Sequence, residues 1–113
     1  YHSEAYNYEY TSRRKNFELI LSSQLSKRWP NWMKKTINYN IVPNAVPIFV
    51  EKSNKELEKV NKIINSRFKT VSQIYHFDWN YSFIKPNYKK CILLPIHSEV
   101  KKIKEIINFF QIQ

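Results

Sequence analysis

The sequence predicts an α+β fold: helical and strand periodicities follow one another from residue 47 to 110 in the order β-α-β-β-α, behind a basic helical segment. Apolar residues recur at three- and four-residue steps in three stretches, and alternate or run together in the segments between them. At 113 residues the chain is long enough for one core and too short for two ordinary domains. With 42% hydrophobic and 16% aromatic residues it has the apolar surface to fold.

Residues 1–10 show no clean period and are expected to form an extended arm. From Ser12, Phe17, Ile20, Leu21 and Leu25 fall at helical spacing, with Arg13, Arg14, Lys15, Lys27 and Arg28 off that face. Proline disfavours helix in the residue before it, so this amphipathic helix should end near Trp29-Pro30. Residues 1–35 are therefore expected to form an arm and a basic helix, and residues 36–113 an α/β core domain.

Within the core domain, residues 36–42 alternate Ile37, Tyr39 and Ile41 with polar neighbours, the period of a half-buried strand. Pro43 to Pro47 read as a turn, and Pro47 to Glu51 as a short strand. Ser53 and Glu56 stand at capping-box spacing before a helix with Leu57, Val60, Ile64 and Phe68 inward. A strand is expected over 70–79, with Val71, Tyr75, Phe77 and Trp79 on one side, and another over 88–96. Ser98 opens the last expected helix, with Val100, Ile103, Ile107 and Phe110 inward and Lys101, Lys102 and Lys104 outward. Closed by a final strand at 111–113, or by one supplied from elsewhere, this order is the split-βαβ, ferredoxin-like plan of two helices on one sheet.

Charge is the strongest functional signal. Nineteen Lys and Arg against nine Asp and Glu give a formal charge of +10. A compact domain with that imbalance repels itself unless an anion is near, and phosphate is the usual one. Lysine outnumbers arginine about four to one, which moderates the reading because arginine makes the better bidentate phosphate contacts. The composition moderates it further. Glycine is absent while Ile, Lys, Asn and Tyr supply over two fifths of the chain, the signature of AT-rich coding, as in an AT-biased genome or an organelle. Residues 11–35 hold seven of the basic residues, Arg13, Arg14, Lys15, Lys27, Arg28, Lys34 and Lys35, against Glu18. Trp29 and Trp32 sit between two of the basic pairs, and this segment, with Lys89 and Lys90, is the expected RNA-binding surface. The competing reading is a basic helix that covers its own domain with both tryptophans in the core. Lys55, Lys59 and Lys62 interleave with Glu51, Glu56 and Glu58 and read as a solvated face.

Catalytic signals are weak. His76 and Asp78 share a strand face and could bind a metal or move a proton, with His97, Ser98 and Glu99 at the end of the neighbouring strand. No Gly-rich phosphate loop, zinc spacing or nucleophile motif accompanies them, so no enzyme, cofactor or metal is expected. Cys91 is the sole cysteine and lies in an apolar run, which excludes an internal disulfide and reads as core. An RNA-recognition sheet stacks bases on aromatics of its central strands, but Lys89 to Leu94 carry none, so stacking on the sheet is not expected. Tyr75, Phe77, Trp79, Tyr81 and Phe83 are read as core, or else as a protein-facing patch. No apolar run approaches the length of a membrane span.

Over residues 47–113 the plan, with its basic charge and extension, resembles the small ferredoxin-like ribosomal proteins. That resemblance implies an architectural role in translation, with lysines and arginines neutralising ribosomal RNA and the extension threading between neighbouring proteins of the ribonucleoprotein. The AT-rich composition points to an organellar or parasite version, placed in the mitochondrial or another organellar matrix, the cytoplasm being the alternative. Two other classes fit the sequence: a tRNA-binding accessory domain of the anticodon-binding sort, and a protein-interaction subunit of a non-ribosomal complex.

Overall fold

A computed structural model describes residues 2–36, 42–82 and 84–113, with side chains except those of 2–6, 35 and 36. In chain order come helix α1 (His2–Leu21), a 3-10 helix (Gln24–Arg28), α2 (Asn31–Thr36), β1 (Ala45–Ile48), α3 (Asn54–Phe68), β2 (Gln73–Asp78), β3 (Tyr88–Pro95) and α4 (Ile103–Gln111). The expected extended arm is helical from His2. Tertiary anchors explain this better than local periodicity: Glu9 accepts hydrogen bonds from the Ser98 N–H, and Lys101 donates to the Tyr8 hydroxyl at 3.1 Å. The helix also stops earlier than Trp29. Ser22 and Ser23 fold back on the Glu18 and Ile20 carbonyls, and Ser23 caps the 3-10 helix. Of the expected strand at 36–42, Thr36 closes α2 and residues 37–41 lie outside the described residues.

The three strands form one antiparallel sheet in the order β1-β3-β2. β3 is paired on both sides, so β1 and β2 run the same way, connected through α3. Val46, Ile48, Ile92 and Leu94 share a face, are fully buried, and join Leu57, Val60 and Ile64 of α3 and Ile103, Ile106, Ile107 and Phe110 of α4. Phe17, Ile20, Leu25 and Trp29 belong to the same core, so the N-terminal helices help close it. β1 begins at Ala45, inside the expected turn, because Ala45 to Ile48 pair with Pro95 to Ile92. In β2 it is Ile74 that packs against the main core; Val71 lies outside the strand and is 78% exposed. Phe77 and Trp79 pack instead with Phe49 and Trp32. Cys91, opposite Tyr75, is fully buried, and burial pushes its thiol up to about 12.

No strand forms at 111–113: Gln111 ends α4, and the Ile112 N–H turns back to Asn108 and Phe110. The outer edge of β1 is covered from the N-terminal side. Pro47 has no N–H, so its pairing with Leu93 is the non-hydrogen-bonded kind and its carbonyl points away from β3. That carbonyl accepts the Trp29 indole N–H at 2.8 Å, and the Phe49 carbonyl accepts from Arg28 at 3.1 Å. The indole also stacks on Phe17, with ring centres 6.5 Å apart. A strand edge that would template another chain is thus blocked by side chains of this one.

Helix α3 begins as predicted, with Ser53 accepting the Glu56 N–H, although the Glu56 carboxylate accepts the Ser53 hydroxyl and not its backbone N–H. Its exit is set by Asn65, whose amide oxygen accepts from Thr70 Oγ1, Ser72 N and Ser72 Oγ, and whose amide nitrogen donates to the Ser72 carbonyl. Lys69 takes the left-handed conformation that this reversal needs. Asn65→Ala leaves the buried Thr70 and Ser72 short of partners and is expected to cost about 2 kcal/mol in urea unfolding. Helix α4 starts at Ile103, later than the expected Ser98, because residues 97–99 form a turn tied to Asn16. The buried Asn16 amide donates to the carbonyls of Ile96, His97 and Val100.

Candidate nucleic-acid interface

The basic residues of the N-terminal segment fall into three groups. Arg13 is half-buried and bonds the Asn44 side chain, while Arg14 pairs with Glu18 at 3.2 Å and reaches the Tyr10 hydroxyl. Lys27, Arg28 and Lys34 are exposed and held together, since Lys34 Nζ donates to the Lys27 carbonyl at 3.0 Å. Lys35 is in α2, its side chain outside the described residues. Lys15 stands apart from both arginines.

Lys15 lines a recess of about 440 Å³ between α1 and the start of α4, together with Lys101, Lys102 and Lys104. Tyr8, Ser12, Ser98 and Glu105 also line it. Two facts of folding create this cluster. Asn16 locks α1 onto the 96–100 turn, and the apolar face of α4 turns inward, which leaves Lys104, with Lys101 and Lys102 just ahead of the helix, on the rim. The hydrogen bond between Lys101 and Tyr8 raises the ammonium and lowers the phenol from their ordinary values. Glu9 sits beside the cluster: hydrogen bonds from Ser98 hold its carboxyl below the usual range against the opposing effect of burial, and its charge, with that of Glu99, also favours the Lys101 ammonium. Helix α4 has Lys102 at its N-cap with no side-chain cap, so its first N–H groups add to the positive character of the recess. The outward direction of Lys101, Lys102 and Lys104 is legible in the sequence; their meeting with Lys15 is a long-range event.

The two tryptophans part company. Trp29, expected on the RNA-facing surface, is 2% exposed and belongs to the core, as does its hydrogen bond to Pro47. Trp32 is half-buried on the other side of Pro30, with its N–H donated to the Trp79 carbonyl at 2.7 Å. It stacks on Phe77 at 5.8 Å and on Tyr81 at 4.9 Å. Phe49 meets Phe77 and Trp79 edge-on, and Lys89 Nζ lies 4.1 Å from the Trp79 ring centre, within cation–π range. Lys89 is exposed, opposite Phe77 across the ladder, and Lys90 is half-buried opposite His76. Beside these rings a groove of about 490 Å³ runs between Trp32, Tyr75, Phe77, Tyr81 and Tyr88.

His76 and Asp78 do sit two apart on β2, but they are not joined by His97. The antiparallel register sets Asp78 beside Tyr88, at the far end of β3 from His97, whose Nδ1 accepts the Glu99 N–H. The Asp78 oxygens accept the N–H groups of Asn80, Ser82 and Asn87. Burial works to raise this carboxyl, yet those N–H groups outweigh it and hold it below the usual range. Asp78 is thereby the fastener of the β2–β3 turn. Among the described residues no group of three His, Cys, Asp or Glu side chains could hold a metal ion, and no helix is long and apolar enough to cross a membrane. Compared with protein-family models, curated proteins and solved structures, the chain matches none of them.

Proposed function

We propose that this protein is a non-catalytic RNA-binding protein that grips the phosphate backbone of a folded RNA. The observation that carries the proposal is the recess in which Lys15, Lys101, Lys102 and Lys104 stand around one acidic lining residue, Glu105. Four ammonium groups on so small a surface offer a phosphate backbone several charge contacts at once, each of which releases counterions on binding. Lys27, Arg28 and Lys34, exposed on the N-terminal side, extend the positive surface. In its finer form the proposal is a ribosomal subunit of organellar type, working in mitochondrial translation. The AT-biased composition supports that form, as does a β1-β3-β2 order compatible with the first three strands of a ferredoxin-like sheet. In such a sheet the fourth strand would pair with β1, where Trp29 and Arg28 lie here.

Filter binding to a structured RNA over a range of salt concentrations tests the proposal. Four phosphate contacts give a log–log slope of roughly −3 to −4, a loss of about a hundredfold between 50 and 200 mM salt. Weak binding with no salt dependence refutes it.

A further inference from the structure

The turn between β2 and β3 exposes aromatic surface that phosphate contacts leave unused. Phe77, Trp32 and Tyr81 form a ladder of stacked rings that leads from the sheet to solvent, and Tyr81, at its outer end, is 78% exposed. Tyr75 and Tyr88 flank the groove at 47% and 62% exposure. The Trp32 indole is pinned by its hydrogen bond to the Trp79 carbonyl, so an incoming planar group meets rings already held in place. Tyr81 also has a left-handed backbone, φ 49°, an outlying conformation for so bulky a residue. Asparagine, abundant in this chain, would sit there at lower cost. The charge around the turn is that of Lys85, Lys89 and Lys90 against one lining carboxylate, Asp78, which is held in place by three backbone N–H groups.

We infer that this groove stacks unpaired nucleobases of a single-stranded RNA segment, with Tyr81 as the outer platform and the lysines of the turn taking the flanking phosphates. The inference rests on the RNA-binding reading and adds the form of RNA: a folded RNA with an exposed loop or end, gripped by its backbone at the α1–α4 recess and by its bases at the β2–β3 turn. Stacking here does not need the centre of the sheet, where Lys89 to Leu94 bring no aromatic ring. A proline-rich peptide would also suit an aromatic groove, but it carries no anionic group for the three lysines.

Fluorescence anisotropy with a labelled short oligouridylate and a labelled RNA duplex of matched length, against wild type, Tyr81→Asn and Tyr88→Ala, tests the inference. Tyr81→Asn removes the ring while suiting the left-handed turn, so its urea midpoint should equal or exceed that of wild type. Each variant should bind the single strand about tenfold more weakly and the duplex unchanged. If wild type binds RNA and both variants bind the single strand equally well, the groove assignment falls and the phosphate reading stands. Uptake of a proline-rich peptide in the groove, with single-strand binding indifferent to Tyr81, overturns it in favour of a protein partner. If wild type binds neither RNA, both readings fall.

Discussion

Replacing Trp29 with alanine is expected to destabilise the protein by about 3–5 kcal/mol, seen as a lower urea midpoint at little-changed slope. Three losses coincide at one side chain: the burial of a ring that is 2% exposed, the stack on Phe17, and the N–H donated to the Pro47 carbonyl. A domain of this size has roughly 5–15 kcal/mol in all, so the variant should lose between about a fifth of its stability and nearly the whole of it. Trp29→Phe separates the contributions. It keeps most of the packing and leaves the Pro47 carbonyl without its donor, at an expected cost of about 1–2 kcal/mol. Arg28→Ala, which removes an exposed side chain bonded to the Phe49 carbonyl, should cost under about 1 kcal/mol. An alanine variant at Trp29 that melts with wild type would show that the edge of β1 does not depend on the indole.

The residues that were legible in the sequence are those whose environment is set by their near neighbours. Leu57, Val60 and Ile64 announce the inner face of α3 by spacing alone, and Ser53 and Glu56 mark where it starts. The Ile103, Ile107 and Phe110 face of α4 is equally local, and all three are buried, as is Val100 just ahead of the helix. What failed depends on distant partners. Residues 2–10 carry no period, and α1 extends through them with contacts to Ser98 and Lys101 to hold it. Trp29 and Trp32 look alike in the sequence, flanked by the same proline and the same basic pairs. One is sealed against Phe17 and Pro47 and the other opens towards Tyr81, because the chain bends at Pro30 between two different surfaces. In β2 the aromatic alternation of Tyr75 and Phe77 suggested the core face, whereas the main core took the single Ile74; a strand with apolar residues on both faces does not say which one is covered. The lysine recess is illegible for the same reason, since Lys15 and Lys101 are brought together by the hydrogen bonds of Asn16.

Reversing two charges in that recess gives the largest expected change in binding. Lys15→Glu with Lys104→Glu, both exposed and both lining the recess, should lower affinity for a structured RNA by about a hundredfold or more. The salt slope should fall by about 2, one for each phosphate contact removed. Net charge alone also weakens binding, so the informative comparison is Lys59→Glu with Lys62→Glu. That pair lies on the exposed face of α3 and changes the charge of the protein by the same amount. If phosphates are held in the recess, the α3 variant keeps most of the slope and loses affinity only through the long-range field, which is screened over about 8–10 Å near physiological salt. Equal losses in the two variants would mean that the RNA responds to the total charge of the protein, and the recess would lose its standing as a site. Because all four lysines are exposed, neither exchange disturbs the core, and unchanged urea midpoints should accompany both.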